Sequence, residues 1–115
     1  MDRKSLTKTF VASGAKTGAV EGATITVEHY TEIALFFRCT AVSGTSPTMD
    51  FKVQMSPDGS NWHTVSSVTQ ITAAVTLAPV QLTNIGKYMR VYAAAPGGSS
   101  TPTVTMADII GVLKN

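Results

Sequence analysis

Polar and apolar residues alternate with a period of two along most of the chain, the spacing of strands that bury one face. The clearest run sets Met49, Phe51, Val53 and Met55 against Asp50, Lys52, Gln54 and Ser56. Pro57-Asp58-Gly59-Ser60-Asn61 follows, in which proline presets φ and glycine accepts a positive φ, and residues 62–68 return. The pattern predicts a β-hairpin. In residues 33–42, Ile33, Leu35, Phe37, Cys39 and Ala41 share one face, and Ala34, Phe36, Arg38 and Thr40 the other. Two partly apolar faces predict a central strand. Further strands are expected over residues 7–12, 23–28, 71–77, 80–82, 87–92 and 103–112, with Pro79 marking an edge strand or a bulged connection. In the 87–92 strand, Met89 and Val91 face one way and Tyr88, Arg90 and Tyr92 the other. Loops are expected at 13–18, 43–47 and 96–100, the last being the richest in glycine and serine. Only residues 106–113 could pass for a short helix, and Gly111 among β-branched neighbours argues against it.

Short strands joined by short turns predict an all-β fold, an antiparallel β-sandwich of jelly-roll or immunoglobulin-like type. The 115 residues suit a single domain, 1–115, large enough to bury a core without metal or disulfide. A first segment of charge and alternation, residues 1–10, is expected to form an N-terminal arm able to add a strand to a neighbour.

Charge changes the picture. Only 14% of residues are charged, against about 25% in an average soluble domain. The net charge of +2 gives no basic footprint for a phosphate backbone, so nucleic acid is not an expected partner. The apolar run Ile33-Ala34-Leu35-Phe36-Phe37 is far too short to span a bilayer, and no secretory signal follows Met1, so synthesis in the cytoplasm without membrane anchorage is expected.

The residues that carry chemistry are few. His29 and His63 are far apart and Cys39 is alone, so no zinc-type spacing exists and Cys39 is expected to be a small buried hydrophobe. Asp50, Asp58 and Asp108 form no calcium-loop pattern, and turn-capping or solvated carboxylates are expected instead. Gly14-Ala15-Lys16-Thr17-Gly18 lacks the glycines and the helix of a phosphate loop. No nucleophile elbow occurs. No catalytic residue, metal or cofactor is expected, and the chain reads as a non-enzyme.

The segment ending Gln54-Met55-Ser56-Pro57-Asp58-Gly59-Ser60-Asn61-Trp62 resembles the hairpin of discoidin-type and related jelly-roll modules, where a strand ending in Ser leads into Asp-Gly-x-x-Trp. Gly86-Lys87-Tyr88-Met89-Arg90-Val91 is similar to a later strand of such sandwiches. Together with the chain's length and its Thr-, Ala-, Ser- and Gly-rich strands, these segments also look similar to small β-sandwich accessory proteins of tailed-phage virions, the decoration or cement proteins of the head and related tail components.

That resemblance implies a structural virion protein that binds and stabilises a phage capsid, with the major capsid protein or other virion proteins as partners. It also implies location in the virion and a homo-oligomer, a trimer being suited to threefold lattice positions. Low charge fits a surface consumed by neighbours, since few ions must be desolvated. Two alternatives remain open: a tail or baseplate adaptor, and a carbohydrate-binding module in which Trp62, Tyr88 and Tyr92 stack on sugar rings. Those three aromatics are the expected contact residues for a ligand or partner.

Overall fold

The computed structural model describes residues 5–83 and 85–114, and the regular elements among them are all strands. In chain order they are β1 (Ser5–Val11), β2 (Gly14–Lys16), β3 (Val20–Glu21), β4 (Ile25–Thr26), β5 (Glu32–Phe36), β6 (Arg38–Thr48) and β7 (Phe51–Ser56). There follow β8 (His63–Ser67), β9 (Val75–Thr76), β10 (Val80–Thr83), β11 (Tyr88–Ala93), β12 (Gly97–Met106) and β13 (Ile109–Lys114). All pairings are antiparallel.

Two of the hydrogen-bonded sheets, β1-β13-β5-β10 and β2-β12-β6-β9, are halves of one. Each strand of the first continues into its counterpart in the second, and the breaks fall at one level across the sheet. The Leu77 amide donates to the Phe37 carbonyl at 3.1 Å and the Ala107 amide to Arg38 at 3.0 Å. The Ser13 amide donates to Asp108 Oδ1 at 2.7 Å. Backbone groups freed at the breaks therefore find partners across them.

Counting each interrupted strand once gives eight: β1/β2, β3/β4, β5/β6, β7, β8, β9/β10, β11 and β12/β13. One sheet then runs first-eighth-third-sixth and the other, β3/β4-β11-β7-β8, runs second-seventh-fourth-fifth. That order is the jelly roll, two interlocked Greek keys, and it decides between the two sandwich types the sequence left open.

Alternation explains the core. Ile33, Leu35, Phe37 and Cys39 point inward from the first sheet and Phe51, Val53, Met89, Val91 and Ala93 from the second, all of them buried. The rings of Phe37 and Phe51, one from each sheet, lie 5.7 Å apart and tilted, an attractive aromatic geometry. Cys39 is 2% exposed, and burial pushes its thiol pKa up, as expected for a packed thiol.

Several local expectations are corrected. From Ser5 onward the expected arm is a strand of the chain's own sheet, because Leu6 and Phe10 alternate inward and β1 pairs with β13 from Ser5↔Lys114 to Val11↔Ile109; residues 1–4 lie outside the described ones. From Gly97 on, the expected 96–100 loop lies within β12, and the expected 43–47 turn lies within β6, paired with each other. The closing strand is broken at Ala107 and Asp108, and residues 106–113 are extended. The expected 71–77 strand reduces to β9 and an isolated Met49↔Ile71 bridge.

Candidate functional site

Two surfaces stand out, one built by the hairpin and one by the β6/β12 pair. In the hairpin, the buried Ser56 hydroxyl donates to Asp58 Oδ1 at 3.0 Å and accepts the amides of Asp58 and Gly59 at 3.2 and 2.8 Å. Asp58 Oδ1 also accepts the amides of Ser60 and Asn61, each at 2.9 Å, while Oδ2 accepts the Asn61 side-chain amide at 2.8 Å. These bonds, the Asn61 amide first among them, hold the Asp58 carboxyl far below the usual carboxylate range. The Ser-Pro-Asp-Gly-Ser-Asn run is thus a turn that satisfies its own backbone, and it fixes where Trp62 emerges.

Trp62 emerges on the outer face of the second sheet, the face to which β11 turns Tyr88, Arg90 and Tyr92. Arg90 is the centre of the group. Its guanidinium carbon sits 4.4 Å from the Trp62 ring centroid and 5.5 Å from that of Tyr92, and its Nε donates to Gln54 Oε1 at 2.8 Å. Lys87 Nζ lies 5.5 Å from the Tyr88 ring centroid. The three aromatics singled out in the sequence share one face, and Arg90, which that reading passed over, joins Trp62 to Tyr92. Its position beside two aromatics on the outward side of the same strand was the available signal. The ring face that Trp62 turns to Arg90 is occupied, so a sugar stacking there must displace a cation–π contact worth about 0.5–1 kcal/mol. A groove of about 280 Å³ beside Tyr92 is lined by Asp50, Lys52, Ser67, Val68 and Ala94.

The second surface was not foreseen. Cys39 pairs with Val75 and Met49 bridges to Ile71, so the ends of that stretch of β6 are spaced by a neighbour segment reaching at most ~14 Å. The chain between them is long enough to extend ~33 Å. On the partner strand, Ala93 pairs with Val20 and Val104 with Lys16, and the same mismatch recurs. The two strands remain paired with each other, from Val42↔Val104 to Thr48↔Gly97, so they leave the sandwich together as a two-stranded arch. Residues 43–46 and 97–101 are exposed on it, while Pro47 and Pro96 are buried.

The arch bends where residues adopt positive φ: Gly44 at 96°, Ser46 at 50°, Gly98 at 119°, Ser100 at 60° and Thr101 at 54°. Left-handed Ser and Thr cost about 1–2 kcal/mol each, so the pairing of the two strands must impose them. It does so through close approach: a Cβ on Gly44 would lie 2.9 Å from the Pro102 Cα, and one on Gly98 would lie 2.7 Å from the Thr45 carbonyl oxygen. A sequence signal existed. Thr45-Ser46-Pro47-Thr48 and Ser100-Thr101-Pro102-Thr103 repeat one pattern, each with a left-handed residue before its proline.

No charged residue occurs in residues 39–49 or 91–107, so the arch is hydroxyl-rich and uncharged. The low charge of the chain is concentrated there and in residues 59–86, which are also charge-free. Among the described residues no group of three or more His, Cys, Asp or Glu could hold a metal ion.

No protein-family model and no curated protein sequence matches the chain. Among solved structures it is similar to the SPBc2 prophage-derived protein YomS, with a TM-score of 0.62 over 100% of this chain and 96% of that one, at 16% identity. What the two share is the fold.

Proposed function

We propose that this chain is a structural protein of tailed-phage virions, a decoration or cement protein that binds the outside of an assembled capsid and stabilises it. The uncharged arch carries the reading, on a jelly roll of the kind found in a prophage-derived protein. A projecting ribbon of Ser, Thr, Gly and Pro docks on a neighbour with little ion desolvation and offers free strand edges for main-chain hydrogen bonds. The partner is the major capsid protein or another virion protein.

Mass action supplies the mechanism. A protein that binds only the assembled shell stabilises it by about 2.7 kcal/mol per site at a hundredfold excess over Kd, summed over many sites. The test is a heat or chelator challenge of heads that lack this protein, with and without purified protein added back. Retention of DNA by the supplemented heads at a temperature that empties the bare ones supports the role; identical loss in both contradicts it. Attachment to tails instead of heads would favour the tail or baseplate adaptor.

A carbohydrate-binding role is the second reading, favoured by the shared face of Trp62, Tyr88 and Tyr92. Glycan-array binding that disappears in Trp62→Ala with the fold retained would move it ahead of the first.

A further inference from the structure

We infer that the outer face of the first sheet is a self-association surface whose occupant is a second copy of this chain, packed face to face about a twofold axis near Leu35. Burial alternates without interruption through Phe37, so the outward residues read Glu32, Ala34, Phe36, Arg38 along one line. Phe36 is 43% exposed, the most exposed large hydrophobic among the described residues. Beside it in the register, Ile110 lies opposite Phe36 and Val112 opposite Ala34, both half-buried. Among the described residues, no strand pairs or packs as a further layer on this side of the sheet.

Next to the projecting phenyl ring is a hollow. An open groove of about 200 Å³, of mixed polar and apolar lining, is bounded by Glu32, Ala34, Gln81, Val112 and Lys114. The line therefore reads acid, hollow, knob, base. Reversed, it reads base, knob, hollow, acid, so an antiparallel second copy places each Phe36 over the other's Ala34 hollow and each Arg38 towards the other's Glu32. Self-complementarity of this kind is what an isologous twofold contact requires, and two sheets stack in this manner ~10 Å apart with aligned strands. Lys114 neighbours Glu32 in the register, which weakens the charge contribution and leaves the knob-and-hollow fit as the main one.

Four strands at ~4.8 Å spacing over the seven residues from Glu32 to Arg38, at ~3.3 Å each, give a face of ~450 Å² per copy. The total, ~900 Å², lies below the ~1,200 Å² lower bound of stable specific interfaces, so the dimer is expected to be weak, with a Kd on the order of 100 micromolar. The inference concerns the free protein and stands or falls separately from the virion reading.

Sedimentation velocity over a concentration series tests it. The wild type is expected to show a monomer–dimer equilibrium, and Phe36→Asp to weaken it by ~100-fold or more, since two phenyl rings lose their burial. Ala34→Phe sets knob against knob and is expected to dissociate the dimer as well, while Ala34→Phe combined with Phe36→Ala re-creates knob and hollow in exchanged places and restores it. All of these positions face solvent in the single chain, and circular dichroism checks that each variant folds. A monomer at the highest concentration reached, or an oligomer of any size indifferent to Phe36→Asp, overturns the inference.

Discussion

Gly111→Ala probes the jelly-roll core at the contact between its first and last strands. Gly111 is buried in β13 with Phe10 of β1 lying over it: a Cβ there would sit 2.4 Å from Phe10 Cε1, 3.0 Å from Phe10 Cδ1 and 3.1 Å from Ile33 Cδ1. Ordinary carbon contacts are about 3.5–4 Å, so one ring carbon must move by at least ~1 Å. The ring cannot swing out, because Phe10 is 2% exposed within the core. Overpacking of this kind costs about 1–3 kcal/mol, and alanine's advantage over glycine in a strand returns about 0.5–1 kcal/mol. The net expectation is a loss of about 1–2 kcal/mol, or several degrees in Tm for a domain of this size. Urea denaturation of the wild type, Gly111→Ala, Phe10→Leu and the double variant forms a double-mutant cycle. Phe10→Leu shrinks the obstructing ring, so the alanine is expected to be nearly neutral in that background, with a coupling of at least ~1 kcal/mol. A neutral or stabilising Gly111→Ala in the wild type, or an equal cost in both backgrounds, would refute the placement of Phe10 over Gly111.

Three shorter predictions follow from the hairpin, its neighbours and the arch. Arg90→Ala removes the guanidinium from between Trp62 and Tyr92 and is expected to destabilise by about 1–2 kcal/mol; as Trp62 is the sole tryptophan, its emission spectrum should shift, and an unchanged spectrum would count against the stack. The Asp58 carboxyl has its pKa lowered from 3.8 by the folded turn, so it contributes stability at pH values above about 4 that is lost as the pH falls below that. Asp58→Ala should lower Tm at neutral pH and flatten this part of the acid-side decline, whereas an unaltered acid limb would show that the turn is not its source. Gly98→Ala, strained by its positive φ and by the Thr45 carbonyl, is expected to weaken attachment to heads at least ~tenfold while near-ultraviolet circular dichroism of the sandwich is preserved; full attachment would remove the arch from the docking surface.

The body of the sandwich was legible where its strands bury one face, as β5, β7, β11 and β13 do. The alternation around Phe51 and Val53 and the Asp-Gly turn appear in the structure close to their expected limits, and the strand through Leu35 starts where expected but is interrupted at Phe37 and runs on to Thr48. The arch was not legible, because residues 43–46 and 97–101 bury almost nothing and their Gly, Ser and Pro content has the composition of a loop. What holds them as strands is their pairing with each other, a long-range fact with no local periodicity. The arm was misread for the converse reason: the alternation of residues 5–10 was visible, but that its partner is β13 of the same chain follows only from the closed topology. At the candidate site, the outward placement of Tyr88 and Tyr92 was readable from period two. The meeting of Arg90 with Trp62 depends on the register between β11, β7 and β8, which a single sequence does not specify.

As proposed, this protein is a component of the phage particle. Quantitative mass spectrometry of gradient-purified phage particles from an induced culture of the strain that encodes it, with intact-particle density as the purification criterion, tests this. The protein is expected to co-purify with the major capsid protein in a fixed ratio that survives repeated banding. Its presence in the lysate but absence from the banded particles would contradict the claim.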